Sequence, residues 1–349
     1  MMSIFEINPN IARAETLSSE FYTDEKYFHE SKEKIFARTW QLVATTDEIK
    51  NVKPINVLEK FLNEPILITR EGAEFNCLSN VCTHRGKILV ENECEANLLR
   101  CGYHGRRFDL NGKFLAMPEF EGVENFPTEK DNLLLIPFEI WEKFIFASLN
   151  PIAPLGEFLA PAQEILQAIN LERLQFFSAK DYEVKAHWAL YCENYLEGFH
   201  IPFVHKSLNE TIDYGSYRTE TFRFSSLQTG FAKIGENAFD NNKNIAAFYF
   251  FVFPNLMLNF YPWGLSANII KPLKTNLTRV SYLTFVSDES KLNKGAGADL
   301  ETVELEDQAV VESVQKGLNS RFYSTGRYSP TREQGTHHFH RLIAEFMSL

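Results

Sequence analysis

Two segments decide how this chain is read: Asn80-Val-Cys-Thr-His-Arg-Gly86 and Cys101-Gly-Tyr-His-Gly105. Each holds one cysteine and one histidine, Cys82 with His84 and Cys101 with His104, and each closes on a glycine that permits a tight turn. Sixteen residues separate His84 from Cys101, so two loops offer two thiolates and two imidazoles. Zinc-finger patterns usually group the cysteines together and the histidines together. Alternation favours a two-iron cluster over zinc.

In a Rieske centre one iron of a [2Fe-2S] pair takes both cysteines and the other both histidines, which raises the reduction potential over an all-cysteine cluster. The remaining cysteines, Cys77, Cys94 and Cys192, have no histidine at ligand spacing and read as structural. An odd cysteine count points away from a disulfide framework.

Around the two loops, from Trp40 to about Asn150, lie short β-branched or aromatic runs: Pro65–Arg70, Phe75–Ser79, Leu98–Cys101 and Lys143–Leu149. Turn signals at Glu71-Gly72 and Asn111-Gly112 separate them, so residues 40–150 are expected to form a small all-β domain. Residues 1–39 are expected to be a helical segment packing on a second domain, 151–349. There the pattern predicts helices around Ala162–Ile169 and Ala189–His200, strands from Phe248 to Val286, and a last helix from Leu300 to Lys316 stopping at Gly317. The expected class is α+β: an all-β cluster domain and an α+β catalytic domain with a curved, helix-grip-like antiparallel sheet.

Composition narrows the partners. A net charge of −11 without a clustered Lys/Arg footprint argues against nucleic acid. No apolar run approaches the ~20 residues of a membrane span, and Met1 to Asp24 lacks a signal-peptide pattern, so a cytoplasmic protein is expected. The 31 phenylalanines are read mainly as core.

A second constellation lies at Glu193-Asn-Tyr-Leu-Glu-Gly-Phe-His-Ile-Pro-Phe-Val-His205. His200 and His205 would diverge by about 140° on a straight helix. Pro202 disrupts the helix and can turn them together. Two imidazoles need a carboxylate to complete the facial triad of a non-haem Fe(II) oxygenase. Asp307 falls within an apolar stripe of Val303, Val310, Val311 and Val314, with Glu304 and Glu306 as rivals.

Cys-x-His-Arg-Gly followed by Cys-x-Tyr-His-Gly resembles the Rieske signature of ring-hydroxylating oxygenase large subunits, and the likeness spans nearly the whole chain from Trp40. The family commonly has Pro where this chain has Gly102 and Trp where it has Arg106. The segment Glu306 to Gln315 is similar to the one supplying the family's carboxylate ligand, which favours Asp307. By the same resemblance Glu197 matches the acidic residue that links a cluster histidine of one subunit to an iron histidine of the next. It implies catalytic use of O2, a homotrimer or a multiple of it, and a separate NAD(P)H-dependent reductase or ferredoxin. No Gly-rich dinucleotide fingerprint is present in this chain.

Pro254-Asn-Leu-Met-Leu-Asn-Phe-Tyr-Pro-Trp-Gly264 resembles relatives that oxidise choline, glycine betaine and carnitine. Aromatic faces bind such cations. Tyr249, Phe251, Tyr261 and Trp263 are the candidates for a small-molecule pocket, although strand alternation turns about half of such a run away. The expected reaction is hydroxylation or oxidative demethylation of a small N-methylated cation. An aromatic-ring-hydroxylating dioxygenase and a non-enzymatic Rieske electron carrier are the alternatives.

Overall fold

A computed structural model describes residues 5–160, 165, 169, 171–239 and 243–349. The helix expected around Ala162–Ile169 lies almost wholly outside them. The chain divides into two compact units, Ala37–Ile152 and Met1–Phe36 with Ala153–Leu349.

The first unit is built from three antiparallel three-stranded sheets. Gln41–Thr45 pairs with Phe144–Ala147, which pairs with Phe138–Trp141. Val52–Val57, Glu64–Glu71 and Glu74–Ser79 form a meander whose run Ile66, Leu67, Ile68, Thr69, β-branched but for Leu67, is fully buried. Leu99–Arg100, Arg107–Phe108 and Phe114–Ala116 make the third. Val52, Leu67, Leu78, Leu99 and Phe108 form one core cluster that also takes in Cys82 and Cys101. Both cysteine–histidine loops therefore grow directly out of packed apolar side chains.

The second unit is organised by a seven-stranded antiparallel sheet. Its spatial order is Gln175–Val184, Leu277–Val286, Gly264–Lys274, Leu256–Tyr261, Ile245–Val252, Ser225–Phe231, Arg218–Thr221. The strands Ile245–Val252 and Leu256–Tyr261 are buried along their whole length, so both faces of the sheet's centre are covered. Helices Trp188–Tyr195 and Leu300–Leu318 pack together, and the first also meets strand Gly264–Lys274.

Three expectations are corrected here. The helix predicted over Ala189–His200 ends at Tyr195, and a separate four-residue helix, Ile201–Val204, carries Pro202 in its first turn. Proline fits there because a first-turn N–H has no intrahelical partner to lose. Gly317 is not a helix stop: Leu300–Leu318 runs past it, and Leu318 is buried. The buried stripe of that helix is Val311, Gln315 and Leu318, while Val314 is 44% exposed.

A further helix, Gln334–Met347, carries His337, His338 and His340 and was not anticipated. Its opening Gln-Gly-Thr-His-His has poor helix propensity, and burial of ten of its residues outweighs that.

Candidate functional site

The two cysteine–histidine loops are copies of one backbone device. The Cys82 N–H donates to the Lys87 carbonyl at 2.8 Å and the Gly86 N–H returns to the Cys82 carbonyl at 2.9 Å. The Cys101 N–H donates to the Arg106 carbonyl at 2.8 Å and the Gly105 N–H to the Cys101 carbonyl at 3.0 Å. Gly86 and Gly105 take φ of 73° and 75°, the left-handed region that favours glycine.

The loops bring the His84 and His104 rings to 4.8 Å between centroids. His104 Nδ1 is buried with no hydrogen-bond partner. Burial opposes ionisation of Cys101, but the backbone N–H groups of Tyr103 and His104 outweigh it and hold the thiol below its ordinary value. A thiol tuned toward thiolate beside a buried, orphaned imidazole nitrogen fits a metal cluster.

Arg106 explains how the chain departs from the family pattern. It is buried, at 2% exposure, and its Nη2 meets Asp131 Oδ1 at 2.6 Å. The guanidinium lies over the rings of Phe114, Phe126 and Phe108 at 4.8, 5.5 and 5.7 Å. A planar cation stacked among three rings and paired with one acid takes the place of a large aromatic.

In the second unit, His200 and His205 bracket the short helix Ile201–Val204 as its two caps. That four-residue turn brings their Nε2 atoms to 3.0 Å. Asp307, on Leu300–Leu318, places Oδ1 3.0 Å from His205 Nε2 and 3.6 Å from His200 Nε2. These three residues offer ligand atoms that all lie within 4.8 Å of one another.

What surrounds the triad orients its side chains. His200 Nδ1 faces Glu197 Oε1 at 2.7 Å and His205 Nδ1 faces Glu306 Oε2 at 2.8 Å. A carboxylate accepts, so each Nδ1 is placed to donate to its acid, and the two Nε2 atoms face each other and Asp307. Asn194 Nδ2 donates to Asp307 Oδ1 at 2.6 Å and turns the carboxylate inward. Two imidazole nitrogens and a carboxylate oxygen converging within 4.8 Å of one another can hold a cation, and the set suits ferrous iron.

Glu197 reaches His200 without sharing a helical face with it. It lies beyond the helix end, and its Oε2 accepts the backbone N–H groups of Phe199 and of His200, the latter at 3.1 Å.

A cavity of about 80 Å³ opens on the triad. Tyr191, Tyr195, Tyr217, Tyr249, Tyr261, Met257, Asn259, Asn268 and Glu304 share its walls with the triad. Tyr249 and Tyr261 thus stand where the sequence reading put them. Phe251 shares a strand face with Tyr249 but lies outside the cavity, with its ring against Phe339 at 5.5 Å. Trp263 is likewise absent from the cavity wall: it stacks behind Tyr261 at 5.1 Å and lines a second cavity.

Sequence reasoning gave Tyr191, Tyr195, Tyr217 and Glu304 no substrate role. Tyr191 and Tyr195 sit on the helix before the histidines, four residues apart, and that spacing was the available signal. Burial, reinforced by the neighbouring Asp307 charge, pushes the Glu304 carboxyl up to about 7.

Residues 39–127 match the Rieske [2Fe-2S] domain, and residues 171–349, more than half the chain, match the ring hydroxylating alpha subunit catalytic domain. The chain belongs to the ring-hydroxylating alpha-subunit family. It is the oxygenase component of a Rieske system, whose cofactors are a [2Fe-2S] cluster and a mononuclear iron.

Among relatives of this Rieske oxygenase, the carnitine monooxygenase oxygenase subunit of Escherichia coli K12 is 30% identical over 96% of this chain and 95% of its own. The chloroplastic choline monooxygenase of Arabidopsis thaliana is 28% identical over 99% and 86%. The solved quaternary ammonium Rieske monooxygenase CntA in complex with L-carnitine superposes with a TM-score of 0.78 at 26% identity, over 97% of each chain. Among the described residues, no helix is long and apolar enough to cross a membrane.

Proposed function

We propose that this Rieske oxygenase hydroxylates or oxidatively demethylates a small N-methylated cation. The observation that carries the reading is the cavity on the triad, walled by five tyrosines and free of Lys and Arg. The relatives named for choline and carnitine oxidation support it.

In this reading Cys82 and Cys101 hold one iron of the cluster, His84 and His104 the other, and His200, His205 and Asp307 hold Fe(II). Bound there, the cluster supplies single electrons and the ferrous ion the means of activating O2. The chain's own residues do the rest. Glu197 and Glu306 fix the two imidazole tautomers, and Asn194 orients Asp307. Tyrosine faces receive the cation, each worth roughly 0.5–2 kcal/mol.

The chain is read as a homotrimer, or a multiple of it, served by a separate NAD(P)H-dependent reductase or ferredoxin, with Glu197 as the link between neighbouring protomers. A solved relative is described in terms of inter-subunit electron transfer, which supports that arrangement.

The test is turnover of choline, glycine betaine and carnitine with electrons supplied and labelled O2 present. A product holding one labelled oxygen is expected. Failure of all three, with arenes instead giving cis-diols that keep both oxygens, makes the chain a ring dioxygenase.

A further inference from the structure

Glu304 is the one carboxylate of the cavity wall that the metal centre does not use. Glu197 is spent on the His200 N–H, and Asp307 faces the two imidazoles. One turn before Asp307, Glu304 turns its Oε2 to the hydroxyls of Tyr191 and Tyr282, which both donate to it. Its Oε1 takes no hydrogen bond from any described residue.

Its position is as telling as its bonding. Glu304, Ser266 and Leu300 line the cavity on the triad and also a second, larger one of about 360 Å³ walled by Lys180, Tyr182, Trp263 and Glu301. The Glu304 carboxylate therefore borders both spaces. At the outer wall Lys180 is already paired with Glu301 at 3.2 Å.

A quaternary ammonium group has no N–H to donate, and its charge is spread over methyl hydrogens. A protein separates it from a neutral tert-butyl group of the same shape only by aromatic faces and by a counter-charge. The tyrosines supply the first. We infer that Glu304 supplies the second: it is the specificity-determining residue that selects a cation over its neutral isostere, with its open oxygen turned to the N-methyl face and its other oxygen held by the two phenols. This rests on the N-methylated cation reading above.

The experiment is calorimetric binding to the holoprotein, cluster and Fe(II) in place. The ligands are choline, glycine betaine, carnitine and the tert-butyl isostere of whichever binds most tightly. Wild type should prefer the cation. Glu304→Gln should weaken the cation roughly tenfold or more while leaving the isostere unchanged, and Glu304→Asp should recover part of the loss. Glu304→Met gives the same comparison if the amide variant does not fold, and wild-type Fe(II) content beside an unaltered cluster spectrum certifies either variant.

Equal weakening of cation and isostere would show that Glu304 only props the tyrosines, and no change in either would remove it from recognition. Both outcomes overturn the inference while the substrate reading stands. Wild type that binds none of the three cations overturns the substrate reading and this inference with it.

Discussion

Asp307 shows what helical phase can and cannot decide. It lies three residues after Glu304, about 60° away on the helix, so apolar periodicity alone could not separate the triad carboxylate from the acid beside it. Position against the two imidazoles separates them: Asp307 Oδ1 is 3.0 Å from His205 Nε2, while Glu304 is engaged by Tyr191 and Tyr282. Asp307→Ala should abolish turnover while the visible spectrum of the cluster is retained, and persisting activity removes Asp307 from the triad. Asn194→Ala leaves the ligands in place but frees the carboxylate, so iron affinity or turnover should fall roughly 10- to 100-fold. Iron content after dialysis checks this, and wild-type retention contradicts it.

At the second loop, Gly105→Ala forces a Cβ onto φ of 75° and to 3.4 Å from Pro118 Cγ. Left-handed backbone costs a non-glycine residue about 1–2 kcal/mol. The ratio of cluster absorbance to protein should drop in that variant.

Among the elements, the strands of the cluster unit were the most legible, because β-branched runs bounded by Gly turns carry a local signal. Pro65–Arg70 and Phe75–Ser79 fall within the observed Glu64–Glu71 and Glu74–Ser79. The break between Tyr195 and Ile201 was only half legible: Pro202 announced a disruption, but local pattern could not say that it opens a new helix. The helix Gln334–Met347 was not legible, since its stability comes from partners far away in sequence. His340 Nε2 donates to Glu193 Oε1 at 3.0 Å and its Nδ1 accepts the Tyr328 hydroxyl, so the helix is tied to the one that leads to Glu197. Such contacts leave no periodic trace.

The helix Trp188–Tyr195 carries a further consequence at its N-cap. His187 is 0% exposed, its Nδ1 accepts the Ala189 N–H at 3.3 Å, and burial pushes its pKa down to about 3. The fold therefore favours the neutral ring, and the unfolded chain titrates near ~6.5. Its contribution is fully present above that value and is lost as pH falls toward 3, at about 1.4 kcal/mol per pH unit. Urea midpoints at pH 7 and pH 5 should differ less in His187→Asn, which keeps a capping oxygen without the titration. An undiminished difference places the acid sensitivity elsewhere.

At the scale of the whole molecule, the chain holds two compact units that each carry one candidate metal constellation; short spacings of Cys and His pointed to both, while Asp307 was favoured only with the family resemblance. The pocket was less legible. Half of the aromatic candidates, Phe251 and Trp263, lie outside the cavity wall: Phe251 is on a strand buried along its whole length, and Trp263 is in the turn between two strands, behind Tyr261. The proposed homotrimer predicts that the holoprotein elutes in light-scattering chromatography at the mass of three chains or a multiple, and a monomer contradicts it.

Everything about activity depends on what the two constellations hold. Metal analysis combined with electron paramagnetic resonance of the anaerobically purified chain reads both at once. The account predicts about three irons per chain, two in a Rieske-type signal that appears on reduction and one ferrous. A colourless protein carrying zinc at its cysteines and histidines, or iron that stops at two per chain, would contradict it.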